Sequence, residues 1–108
     1  MLCASLDLNH ERQPMLYLVH MNVVPPPQPD EAFETLKRKE KEMALDLQKK
    51  GTWQHLWRVA GEYANYSVFD VPDHDALHEL LINLPLFPYL EIKVTPLATH
   101  PSSLAAQQ

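Results

Sequence analysis

Glu40 sits on the apolar stripe of a helical segment. Phe33, Leu36, Met43, Ala44 and Leu47 recur at spacings of three and four, and Glu40 fills the gap between Leu36 and Met43. Lys39 and Lys41, on either side of it, are expected to point away. Burial disfavours the charged form of a carboxylate and moves its pKa toward neutrality. A carboxylate in that state can both take up and release a proton near pH 7. The plainer alternative is a Glu at the edge of the stripe, reaching solvent or bonding a strand arginine.

A second cluster lies between Gly51 and Asp70, where Trp, Tyr, His, Arg, Asn and Ser crowd into one predicted β-hairpin. A two-residue turn at Gly61-Glu62 sets Ala60 opposite Tyr63, Arg58 opposite Asn65 and Leu56 opposite Ser67. Alternation then sends Arg58, Tyr63, Asn65 and Ser67 to one side. His55, Trp57, Val59, Ala64, Tyr66 and Val68 go to the other. The first group combines a cation, an amide and two hydroxyls. Such a set can grip a carboxylate and polarise a carbonyl, or it can simply face solvent. His55 falls on the more apolar side, and a bulge near Gly51 or Gly61 would swing it across.

Other histidines offer less. His20 interrupts an apolar strand; it is an ordinary strand residue or, with a raised pKa, a cation. His74 and His78 share a helix face, but no His-Glu-x-x-His pattern is present and Asp73, Asp75 and Glu79 flank them. That reads as a solvated face, and no metal site is expected. His100 lies in a polar tail. Gly51 and Gly61 are the only glycines, so there is no phosphate-cradling loop.

These residues need a frame. Leu16 to Val24 reads as a strand, followed by the stiff Pro25-Pro26-Pro27-Gln28-Pro29 connection. Asp30 is a predicted N-cap for a helix running to about Lys50, with Gly51 as its left-handed stop. Strands are predicted at about Trp53 to Ala60 and Tyr63 to Val71. A second helix spans about His74 to Asn83, capped by Asp73. Pro85 and Pro88 make a loop, and Tyr89 to Val94 forms the last strand. The order βαββαβ is the ferredoxin-like α+β pattern with an antiparallel sheet. Residues 1–14 lack any period and read as a disordered extension before a domain at 15–97, with a tail at 98–108. Met15 is an expected alternative start.

The chain has 108 residues, a formal net charge of −5 and a hydrophobic fraction of 45%, which fit one small folded domain. Its longest basic cluster, Lys37-Arg38-Lys39, is flanked by glutamates, which argues against nucleic acid as a partner. The single cysteine, Cys3, cannot form an intramolecular disulfide and suits a reducing cytoplasm. No apolar run is long enough to span a membrane, and the first ten residues lack the basic start and apolar centre of a leader. A domain this small gains stability by association, so a homo-oligomer is expected.

The Gly51-Thr52-Trp53 and His55-Leu56-Trp57-Arg58 runs resemble the motifs of the muconolactone Δ-isomerase family. The similarity continues through Val71-Pro72, Leu84-Pro85-Leu86-Phe87-Pro88-Tyr89 and His100-Pro101-Ser102-Ser103, and Met15-Leu16-Tyr17 resembles the usual family start. The resemblance implies a dimeric α+β barrel, in which two sheets pack face to face, assembled into decamers. It implies a cofactor-independent isomerase of aromatic catabolism, in the catechol branch of the β-ketoadipate pathway. The substrate would be muconolactone, a lactone bearing a carboxymethyl arm, and the product 3-oxoadipate enol-lactone. A proton leaves the ring carbon bearing the arm, and one returns elsewhere on the conjugated system.

On this reading Glu40 is the base, with His55 or His20 as the alternative. Tyr63, Asn65 and Ser67 stabilise the dienolate oxygen, and Arg58 holds the carboxylate. Trp53, Trp57 and Phe87 wall the site, and His100 lies near it. Two features depart from the family pattern. His20 stands where a Lys or Arg is usual, and Ala98-Thr99 precede His100-Pro101 in place of Cys-Arg. They keep open a dehalogenase of a chlorinated muconolactone, or a barrel that only binds a small acid.

Overall fold

The computed structural model describes residues 15–104. The expected extension at 1–14, with Cys3, lies outside the described residues. Strand β1 spans Leu16–Val23, helix α1 Glu31–Lys49, β2 Trp53–Arg58, β3 Ala64–Asp70, helix α2 His74–Ile82 and β4 Leu90–Leu97, with a single 3-10 turn at Phe87–Tyr89. The four strands form one antiparallel sheet in the order β2-β3-β1-β4. This is the predicted βαββαβ arrangement, an α+β fold.

Local chemistry accounts for the element ends. The Asp30 side chain accepts a hydrogen bond from the Phe33 amide at 3.0 Å, and Glu31 and Glu34 sit in the first turn, where the helix dipole favours anions. At the other end Gly51 has φ +83, and the Gly51 and Thr52 amides return to the Gln48 and Leu47 carbonyls. That is a Schellman stop, which a residue with a Cβ adopts only under strain. Asp73 caps α2 in the same way, through the Ala76 amide at 2.8 Å.

Two boundaries differ from expectation. Strand β4 runs through Pro96 to Leu97 instead of stopping at Val94. It is an edge strand paired only with β1, so the missing Pro96 N–H can face away from the ladder. The hairpin turn is also wider than two residues. The Glu62 amide bonds the Val59 carbonyl, the Val59 amide bonds the Ala64 carbonyl, and Gly61 turns with φ +82. The predicted pairing of Arg58 with Asn65 and Leu56 with Ser67 holds.

Both helices cover one face of the sheet. Tyr17, Val19 and Met21 from β1 and Phe69 from β3 form the floor, and Ala44, Leu77, Leu81 and Leu84 close over it. The alternate residues of each strand face the other way. Trp57, Tyr66 and Leu97 are exposed there, and Leu16, Leu18 and Val68 are half-buried. Among the described residues no helix is long and apolar enough to cross a membrane.

Candidate active site

A cavity of about 450 Å³ opens between α1 and the end of the sheet formed by β2 and β3. Helix α1 contributes Lys37, Glu40, Lys41, Ala44, Leu45 and Gln48, spaced as one helical face. The opposite wall holds Trp53, Leu56, Arg58, Tyr63 and Asn65. The structure therefore brings together Glu40 and much of the polar hairpin set.

Glu40 is partly buried at the centre of the helical wall. Burial raises its pKa above the ordinary carboxylate value, and a hydrogen bond from the Leu86 amide at 3.0 Å partly opposes that rise. Arg58 lies over the Tyr63 ring, its guanidinium carbon 5.3 Å from the ring centroid. Asn65 shares the helix-side face with Ser67, because strand residues two apart point the same way. The Ser67 hydroxyl is fully buried and donates to Asn65 Oδ1 at 2.8 Å. Ser67 does not line the cavity; it contacts a residue that does.

Trp53 reaches the cavity because of a bulge. The ladder skips Gln54, so Trp53 pairs with Phe69 while His55 pairs with Val68. The bulge turns Trp53 inward, where its ring meets Phe69 at 4.7 Å, and leaves His55 on the outer face. The anticipated swing thus happens to Trp53, not to His55. The Trp53 indole N–H is buried and has no hydrogen-bond partner among the described residues.

Several expected site residues lie elsewhere. His55 stacks on Trp57 at 4.8 Å on the uncovered sheet face. His20 is on that face too, against Tyr66 at 4.9 Å and beside Lys93. Strand alternation is the cause: these side chains have the opposite parity from Arg58 and Asn65. Phe87 is exposed on the 3-10 turn, and it is Leu86 that lines the cavity. The His100 ring accepts from the Ser102 amide in the tail. His74 is not simply solvated, since its ring bonds the buried Tyr17 hydroxyl. Among the described residues no group of three or more His, Cys, Asp or Glu could hold a metal ion.

Lys41 is the residue that sequence reasoning missed. Expected to point away, it lines the cavity beside Glu40. Lys37 is engaged by Glu34 at 3.4 Å, whereas Lys41 forms no ion pair among the described residues. The signal was present in the spacing, because Lys37, Lys41, Leu45 and Gln48 form a row next to Glu40 and Ala44.

Residues 15–103 match the family model described as muconolactone delta-isomerase. Curated relatives include a muconolactone delta-isomerase of Cupriavidus pinatubonensis, 58% identical over 83% of this chain and 99% of its own length. Another, from Pseudomonas aeruginosa, is 54% identical over 85% of this chain and 97% of its own. A crystal structure of muconolactone isomerase superposes with a TM-score of 0.77 at 54% identity, covering 83% of this chain and 95% of that one. With this match across residues 15–103 and relatives more than half identical over nearly their whole length, the chain, whose partly buried Glu40 shares a cavity with Arg58, Tyr63 and Asn65, belongs to the muconolactone delta-isomerase family.

Proposed function

We propose that this protein isomerises muconolactone to 3-oxoadipate enol-lactone in the cavity between α1 and the β2–β3 hairpin. One observation supports this site above others. A carboxylate with a burial-raised pKa, Glu40, shares a cavity with the donors Arg58, Tyr63 and Asn65.

The chemistry follows from the substrate. Glu40 takes the proton from the ring carbon that bears the arm. The C–H electron pair becomes a new ring double bond, and the old double bond shifts its electrons toward the lactone carbonyl. The resulting dienolate oxygen is stabilised by Asn65 and Tyr63. Glu40, now protonated, delivers a proton to the carbon next to the carbonyl. Charge and atoms balance without a redox partner, because the carbonyl is the electron sink. Arg58 holds the carboxylate arm through charge-assisted hydrogen bonds, and Lys41 supplies a second positive charge. Trp53, Leu56 and Leu86 keep the wall apolar, which strengthens those interactions.

We also infer a homo-oligomer built from face-to-face dimers, with a decamer as the expected size. The support is the uncovered sheet face with its exposed Trp57, Tyr66 and Leu97. In such a dimer His20 and His55 would meet the partner sheet, which gives them a place outside the single-chain cavity. The single cysteine favours a cytoplasmic setting.

Proton NMR of the protein with muconolactone in D₂O tests the reaction. Appearance of the enol-lactone is the expected result. Deuterium at the reprotonated carbon would show Glu40 exchanging with solvent, and its absence would show one proton carried across. No conversion above the blank would overturn the assignment.

A further inference from the structure

We propose that Ser67 is a positioning residue that fixes which end of the Asn65 carboxamide faces the substrate. The proposal rests on the reading of Asn65 as a donor to the dienolate oxygen. The Ser67 side chain has no solvent exposure, so its O–H needs an acceptor within the protein. Asn65 Oδ1 is that acceptor, at 2.8 Å. Rotating the carboxamide by half a turn would set Nδ2 against the hydroxyl and leave the Ser67 O–H without that acceptor. The hydroxyl would then accept from Nδ2, but its own buried O–H would need a different acceptor, so the flipped state is disfavoured.

The consequence reaches the cavity. With Oδ1 held by Ser67, the amino group is the part of Asn65 left for a ligand in the cavity that Asn65 lines. A donor there suits an oxygen that gains negative charge in the reaction. The flipped amide would present an acceptor to the same oxygen and repel it. Register explains why the lock is built here. Asn65 and Ser67 are two apart on β3, opposite Arg58 and Leu56, so one strand face holds both the donor and its fastener.

A double-mutant cycle tests the lock. Asn65→Ala is expected to lower kcat by about 10²–10³, the usual loss for one oxyanion donor. Ser67→Ala should lower kcat roughly tenfold or more while KM changes less than about threefold, since the donor acts on charge that develops in the transition state. Added to Asn65→Ala, it should cost nothing further. Ser67→Thr, which restores a hydroxyl, should recover most of the loss. Unchanged kcat in Ser67→Ala, or an equal loss in the Asn65→Ala background, would overturn the lock and leave Asn65 as a donor. A silent Asn65→Ala would overturn both.

A second readout is independent of turnover. In ¹H–¹⁵N spectra the Asn65 side-chain pair, assigned by its loss in Asn65→Ala, should move on Ser67→Ala and return with Ser67→Thr. An unmoved pair would sink the lock even in an active enzyme. A wild-type chain without turnover would remove the proposed reaction while the spectra still decide the hydrogen bond.

Discussion

The Glu40 carboxylate accepts a hydrogen bond from the backbone amide of Leu86, 46 residues further along the chain. That bond ties the middle of α1 to the loop that follows α2. It holds one carboxylate oxygen of a side chain that lines the cavity. Burial raises the Glu40 pKa and the amide bond lowers it, with burial the larger effect. The loop is itself tightly held, because Leu84 and Leu86 are buried and the Phe87 amide returns to the Leu84 carbonyl at 2.9 Å. A proton-transfer group on a fixed helix and a fixed loop keeps its geometry through the reaction.

Glu40→Gln separates catalysis from folding. The Gln side-chain oxygen can still accept from Leu86, so the loop should keep its place. Activity should fall by about 10²–10⁴, the usual contribution of a general acid–base group. Stability should move the other way at neutral pH. A carboxyl whose pKa is raised in the folded state adds stability while protonated and loses that contribution as pH rises through the folded pKa. The Gln variant does not titrate, so it should melt above the wild type at pH 7. The difference should vanish below about pH 4, where the carboxyl is protonated in both states. Near-normal activity would remove Glu40 from the mechanism, and a lower melting temperature at pH 7 would contradict its burial.

The acidic limb of the rate profile should report the same group. Proton abstraction needs ionised Glu40, so kcat/KM should fall tenfold per pH unit on the acid side. The midpoint should lie above 4.5, the value of an unperturbed Glu. A midpoint at or below that value would mean that another group limits the rate.

Much of this site was legible in the sequence. Glu40 on an apolar stripe and the Arg58–Asn65 pairing are products of helical and strand periodicity, and both hold in the structure. What periodicity could not reveal was the bulge at Gln54. One extra residue reverses the parity of Trp53, which turns in, while His55 and Trp57 stay on the outer side that hairpin alternation predicts. Lys41 was missed for a related reason. An apolar stripe marks the side of a helix that meets the core, and a cavity at the edge of that core is lined by the neighbouring row. The family motif around His55 marked the hairpin but could not say which face of the sheet the imidazole would take.

Arg58 offers a test of substrate charge. Removing a charge-assisted hydrogen bond costs about 1.5–3 kcal/mol. Arg58→Ala should therefore raise KM by about 10- to 150-fold. Arg58→Lys should recover only part, because an ammonium cannot match the planar fork. The Tyr63 ring would also lose its guanidinium cover. Should KM stay unchanged in Arg58→Ala and rise in Lys41→Ala, the carboxylate arm would belong to α1 instead of the hairpin.

The uncovered sheet face gives the remaining prediction. Trp57 retains 54% of its surface in the single chain, so replacing it removes little from that chain's own core. Trp57→Asp should leave each subunit folded. If two sheets pack face to face, however, the substitution places a carboxylate between them, where an unpaired charge is strongly disfavoured. Light scattering after size exclusion should then give the mass of a larger assembly for the wild type and a smaller species for Trp57→Asp. Circular dichroism should show that the smaller species remains folded. His55, which stacks on Trp57, would lose its ring partner at the same time. Turnover per subunit then decides whether this face matters to catalysis. Retained activity in the dissociated variant would make each cavity self-sufficient, as the Glu40, Arg58 and Asn65 wall suggests. Loss of activity with the fold intact would mean that the partner completes the site. An unchanged assembly would move the interface to one of the free sheet edges, β2 or β4.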